Sequence, residues 1–185
     1  AAAESEQGAA QPTNGDMDVH YSSKTSEWYT PPDILELATR VLGTIGLDPC
    51  SNSHDAPNVP AARHFTREDD GLAQSWQTNT LFMNPPYGSE IGAWVEKLAG
   101  EYEARQVRAA IALLPARTDT AWFRRLRDYP HCFVAGRLKF VSPDSGEVNP
   151  APFPSMLVYL GPAPERFAQV FAAIGDIFVR WHVED

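Results

Sequence analysis

The chain has 185 residues, 43% hydrophobic and 21% charged, with a formal net charge of −9. That length supports one domain with a substantial core, and no apolar run reaches the ~20 residues of a membrane span. The acidic balance speaks against a simple nucleic-acid binder, because phosphate contacts need Lys and Arg. Yet Glu4, Glu6, Asp16 and Asp18 all fall in the first twenty residues, which hold no Lys or Arg, and without them the charge is −5. Two cysteines, Cys50 and Cys132, with no Cys-x-x-Cys or His-x-x-x-His spacing, suit a reduced cytoplasmic protein without a zinc site.

Residues 1–20, rich in Ala, Glu, Gln and Gly, read as a disordered tail, without the basic start and apolar middle of a signal peptide. Residues 21–185 read as one domain. Trp28-Tyr29-Thr30-Pro31-Pro32-Asp33 opens it: Thr30 suits a helix N-cap, Pro31 the first helical position and Asp33 a capping box. Ile34, Leu35, Ala38, Val41 and Leu42 follow at helical spacing until Gly43. Thr44 to Leu47 reads as a strand running into Asp48-Pro49-Cys50. An acid at the end of a first strand is where a nucleoside cofactor docks in Rossmann-like sheets; a turn residue is the plain alternative. Ser53 to Pro60 is a polar loop with the composition of a connection. A short strand over Ala62 to Phe65 precedes Glu68-Asp69-Asp70-Gly71-Leu72 and Trp76.

Leu81-Phe82-Met83-Asn84-Pro85-Pro86-Tyr87 organises the rest. An apolar strand must stop at Pro85, which has no N–H for the ladder. The prolines make a rigid elbow at the carboxyl end of a strand, where open α/β sheets bind ligands. The elbow offers an amide, backbone carbonyls and an aromatic ring, a set that suits a planar ring with an exocyclic amine. Ile91, Trp94, Val95, Leu98 and Tyr102 then mark an amphipathic helix. Ala109 to Leu114 has the apolar run of a central parallel strand. Thr118 can cap a helix carrying Trp122, Phe123 and Leu126. Strands are expected over His131 to Ala135 and Ser155 to Leu160, a helix over Pro164 to Ile174, and an edge strand over Asp176 to His182. Arg117, Arg124, Arg125, Arg127, Arg137 and Lys139 crowd downstream of the elbow, facing either a phosphate backbone or solvent. The alternation of strands and helices gives a three-layer α/β/α sandwich with a mostly parallel sheet.

Asn84-Pro85-Pro86-Tyr87 resembles the catalytic tetrapeptide of amino-group methyltransferases that use S-adenosylmethionine. The order Trp-x-Thr-Pro (Trp28, Thr30, Pro31), Leu-Asp-Pro-Cys (Leu47 to Cys50), Asp-Gly-Leu with a Trp (Asp70 to Leu72, Trp76) and Asn-Pro-Pro-Tyr resembles the Dam-like DNA N6-adenine methyltransferases of phages and prophages, over residues 28–160. The resemblance implies a Rossmann-like fold and adenine-specific methylation of double-stranded DNA in the cytoplasm of a bacterial host. It implies catalysis at Asn84, Pro85, Pro86 and Tyr87. It implies cofactor contacts from Trp28, Thr30, Pro31, Asp48, Pro49, Cys50, Asp70 and Asn84. DNA contacts would come from Arg117, Arg137 and Lys139, and no metal is implied. Ser51 and Asn52 stand where the wider methyltransferase loop carries glycine; S-adenosylmethionine has no phosphate for that backbone to cradle. Two rivals stand beside this reading. One is a methyltransferase acting on RNA guanine or protein glutamine, which Asn-Pro-Pro-Tyr also serves. The other is a methyltransferase-like module that binds DNA or a partner without catalysis.

Overall fold

The computed structural model describes residues 28–142 and 145–183, so the tail expected over 1–20 lies outside the described residues. In chain order these residues form α1 (Pro32–Leu42), β1 (Ile45–Asp48), β2 (Ala61–His64), a 3-10 turn (Arg67–Asp69), β3 (Thr78–Met83), α2 (Ile91–Glu103) and β4 (Val107–Pro115). Then come α3 (Ala121–Leu126), β5 (His131–Val134), β6 (Lys139–Val141), β7 (Val148–Pro150), β8 (Ser155–Leu160), α4 (Pro164–Phe171) and β9 (Gly175–Phe178).

Seven strands make one sheet in the order β2-β1-β3-β4-β8-β5-β9. The first four are mutually parallel, β8 is antiparallel to both β4 and β5, and β9 is antiparallel to β5. Five strands therefore share one direction, and the sheet is mostly parallel. Successive side chains of a strand point to opposite faces, and both faces are buried. Phe82, Ile111, Leu113 and Leu157 pack with Ile34, Leu35 and Ala38 of α1 and Phe167 and Phe171 of α4. Leu81, Met83, Ala112, Leu114 and Met156 pack with Trp94, Val95 and Leu98 of α2 and Leu126 of α3. The fold is the expected three-layer α/β/α sandwich of Rossmann-like character. Leu98 is fully buried, and removing such a side chain from water stabilises the fold by about 2 kcal/mol.

From β1 the chain moves outward to β2, then returns to β3 on the other side of β1. That reversal leaves a crevice at the carboxyl ends of β1 and β3, the usual ligand position in an open α/β sheet. Asp48 ends β1 and Asn84 follows β3, so both stand at its rim.

Several local expectations give way. The cap of α1 is Pro31, Pro32 takes the first turn, and the capping residue accepts no side-chain bond, because a proline ring has no acceptor; the Ile34 N–H is met by Asp33 Oδ1 at 3.0 Å instead. Thr30 is thereby released for another task. Thr120, not Thr118, caps α3, its hydroxyl accepting the Phe123 N–H at 3.3 Å. β4 is parallel to β3 but antiparallel to β8. Between β5 and β8, where the sequence pattern marks no strand, lies the two-stranded ribbon β6–β7, anchored by buried Phe140. α4 stops at Phe171 and β9 at Phe178, short of the apolar patterns that suggested them. None of the described helices is long and apolar enough to cross a membrane.

Replacing Thr120 by Ala should lower stability by about 1 kcal/mol, the ordinary cost of a lost cap. Thr118→Ala should stay within about 0.5 kcal/mol, as exposed substitutions do. Urea unfolding of both variants checks the assignment; equal losses would count against it.

Candidate active site

The site starts from one amide. Asn84 Nδ2 donates to the Trp28 carbonyl at 2.8 Å and to Thr30 Oγ1 at 3.0 Å. A carbonyl oxygen only accepts, so the NH2 group must face Trp28, and the amide has one orientation. Both hydrogens are then in use, and Oδ1 points away from that loop as the remaining acceptor. Tyr87 follows two prolines later. Its hydroxyl donates to the Leu113 carbonyl of β4 at 3.2 Å. Its ring stands edge-on to Phe153 (centroids 5.3 Å, 69°) and Phe140 (6.5 Å, 87°). Burial raises the pKa of that hydroxyl, which stays protonated as a donor.

Three cavities meet at the elbow. A narrow one of about 30 Å³ lies between Trp28 to Thr30, Asp48, Cys50 and Asn84 to Pro86. One of about 240 Å³ is walled by Cys50, Asp70, Leu72, Pro86 and Glu90. One of about 380 Å³ is walled by Trp28, Tyr87, Arg117, Trp122 and Phe153. Cys50 and Pro86 divide the first from the second, and Trp28 divides the first from the third. The four elbow residues thus border three neighbouring spaces.

Most of the residues singled out in the sequence gather here. Asp48 is 2% exposed and its carboxylate accepts the Cys50 N–H at 3.1 Å. Pro31 and Pro49 line none of the three cavities. Pro31 is the helix cap, and Pro49 packs against Gly71, where a Cβ would collide with the Pro49 carbonyl oxygen. The acids at 68–70 separate. Asp69 accepts from Thr66 N–H and Oγ1 and pairs with His54 at 2.7 Å, and the Thr66 bonds hold its carboxyl below the usual range. Asp70, in a left-handed conformation (φ 52°), forms the cavity wall.

The basic cluster also divides. Arg117 is exposed at the rim of the largest of these three spaces. Arg137 and Lys139 are exposed on or beside the ribbon, outside the three cavities. Arg125 is occupied by Glu96 (3.1 Å) and Glu103 (2.6 Å) of α2, which withdraws it from any phosphate. Sequence reasoning missed Asn58, which lines the narrow cavity from a loop read as a plain connection, and named Asn52, on the same wall, only as standing in place of a glycine. It also missed Phe153, whose only signal was an aromatic isolated between prolines.

The family model for DNA N-6-adenine-methyltransferase (Dam) matches residues 20–172. The chain belongs to this family. Among curated proteins no match was found. A DNA adenine methyltransferase with this sheet therefore has its Asn-Pro-Pro-Tyr elbow at the topological switch point, with the buried acid of β1 beside it.

That acid titrates unusually. Burial pushes the Asp48 carboxyl from its ordinary 3.8 up to about 6, against the opposing pull of the Cys50 N–H and of His64. A raised carboxyl pKa means the folded protein holds the proton more tightly than the unfolded chain. Its contribution to stability is full below about pH 4 and is lost as pH rises through about 6. At ~1.4 kcal/mol per pKa unit, the loss is about 3 kcal/mol. Asp48→Asn should remove this slope, so its stability relative to the parent should grow between pH 4 and pH 7. Urea midpoints across that range check it, and parallel pH curves for the two proteins would contradict it.

Proposed function

We propose that the chain transfers a methyl group from S-adenosylmethionine to the exocyclic amine of an adenine turned out of double-stranded DNA. The observation that carries this reading is the Asn84 amide, fixed through both hydrogens with its oxygen left as acceptor. Membership of the Dam family supports the substrate.

The cofactor fits the residues present. Asp48 is a buried carboxylate with no ion pair among the described residues, and S-adenosylmethionine carries ammonium and sulfonium charges. Trp28, Thr30, Asp48 and Cys50 would hold one part of it and Asp70 another, across the two spaces that share Cys50 and Pro86. When bound, it supplies an electrophilic methyl group.

The chain's own residues prepare the nucleophile. An aryl amine is a poor nucleophile because its lone pair is conjugated into the ring. Asn84 Oδ1 and the Pro85 carbonyl accept its two N–H groups, which favours a pyramidal nitrogen and localises the lone pair. No side chain need be a strong base, because the proton leaves after the new bond has formed. Positioning supplies several kcal/mol of the barrier. A base in duplex DNA must leave the stack, at a cost of a few kcal/mol. Stacking on Tyr87, held rigid by Leu113 and two neighbouring rings, returns roughly 1–3 kcal/mol. Arg117 at the cavity rim and Arg137 and Lys139 near the ribbon contact phosphates.

Incubation with labelled S-adenosylmethionine and unmethylated duplex DNA, followed by digestion, tests the reading. Label in N6-methyldeoxyadenosine is expected. Label only in RNA or protein offered in parallel would move the substrate and retain the enzyme. No cofactor binding by calorimetry would leave a non-catalytic binding module.

Two substitutions separate the roles. Asn84→Ala should lower kcat by at least about 10²-fold, the scale of losing an aligned acceptor. Tyr87→Ala should lower turnover on duplex DNA by about ten-fold or more, the equivalent of one lost stack, with cofactor affinity unchanged. Steady-state kinetics with cofactor titrations measure both; near-normal turnover by Asn84→Ala would sink the mechanism.

A further inference from the structure

Asn84 accepts the target amine only while its own amide faces one way. The groups that hold it, Trp28 O and Thr30 Oγ1, sit on a segment that precedes α1 and lies outside the main sheet. That segment is gripped in turn by a side chain 28 residues away. Asn58 Oδ1 accepts the Thr30 N–H at 2.8 Å, and Asn58 Nδ2 donates to the Thr30 carbonyl at 3.2 Å. One amide thus satisfies both backbone groups of a residue that is 1% exposed and has no partner strand. Buried backbone groups left unpaired are costly, so Thr30 stays where Asn58 puts it. Asn58 is itself fixed: its N–H donates to Asn52 Oδ1 at 2.8 Å, while Asn52 Nδ2 donates to Ala56 O at 3.1 Å and Tyr29 Oη at 3.3 Å.

We infer that Asn58 is a positioning residue for methyl transfer, holding Thr30 so that Thr30 and Trp28 fix the direction of the Asn84 amide. This rests on the proposed role of Asn84. Asn58 acts through Thr30, without contact to the reacting atoms, so its signature lies more in kcat than in affinity, although it also lines the narrow cavity. Asparagine is required because the pair needs an acceptor and a donor on one planar group. Aspartate keeps only the acceptor, and alanine keeps neither.

The test uses the full chain and the variants Asn58→Ala, Asn58→Asp, Thr30→Val and the double Asn58→Ala/Thr30→Val. The readouts are kcat at saturating cofactor and DNA, cofactor affinity, thermal midpoint, and the NMR signals of the Asn84 side-chain NH2. Each of Asn58→Ala and Thr30→Val should lower kcat about 10²-fold, as small misplacements in a site do. The double variant should be no slower than the worse single, because both act on one element. Asn58→Asp should recover part of the rate. In Asn58→Ala cofactor affinity should fall far less than kcat, whereas Thr30→Val also loses a residue of the cofactor cavity; the Asn84 NH2 protons should exchange faster with water in every variant. Additive losses in the double variant would overturn the inference, as would unchanged kcat in Asn58→Ala or a fall in cofactor affinity matching the fall in rate. If Asn58→Ala fails to fold, Asn58→Asp and Thr30→Val carry the same comparison. Should the parent protein methylate no DNA, the functional reading fails separately. The NMR readout then decides alone: faster exchange of the Asn84 NH2 upholds the inference, and unchanged exchange overturns it.

Discussion

A single planar amide with both its hydrogens committed is the constraint on which the site depends. Nδ2 of Asn84 reaches a carbonyl and a hydroxyl on the segment before α1. In a low-dielectric crevice such bonds are stronger than in water, and leaving one unmade is correspondingly costly. The amide therefore does not rotate freely, and its oxygen is presented in advance. In the proposed reaction, preorganisation of this kind would remove the reorganisation that a solvent-exposed acceptor needs.

The sheet places that amide. Two prolines follow Asn84, starting two residues beyond Met83, the last residue of β3, so the chain leaves the sheet at the level where β1 ends in Asp48. The reversal of strand order between β1 and β3 keeps the crevice open there. Helices on both faces bury the strands, with Phe82 in one core and Leu81 and Met83 in the other. The elbow is rigid because its root is packed on two sides. Gly71 closes the far wall by permitting close contact with Pro49.

What the sequence disclosed follows from the range of each interaction. Helix α2 and strand β4 were legible because their burial patterns repeat within a few residues. The elbow was legible because proline carries its constraint locally. Thr30 misled: its neighbours resemble a helix start, yet its hydroxyl is taken by a residue 54 positions on. Asn58 was opaque for the same reason, since a polar loop with Ser, Asn and Pro looks like any connection until its partner is known. The ribbon β6–β7 has strands of three residues, too short to show alternation. The direction of β8 was beyond reach, because an all-buried strand has the same composition whichever way it runs. DNA adenine methylation was legible as a resemblance carried by four short segments, and the match over residues 20–172 places the chain in that family.

The insertion of β8 between β4 and β5 has a consequence for how the molecule is made. Ser155 to Leu160 emerges from the ribosome some forty residues after β4 is complete, and until then the outer edge of β4 has no partner. That edge is nine residues long and almost wholly apolar, with no charge beyond Arg108 to discourage pairing with another chain. Unprotected edges of this kind template association, and contacts distant in sequence form slowly. The elbow residues, all synthesised by position 87, therefore wait for Ser155–Leu160 before the sheet beneath them is complete. A nascent or truncated chain ending before Ser155 carries the whole Asn-Pro-Pro-Tyr sequence yet lacks the support that would give it shape.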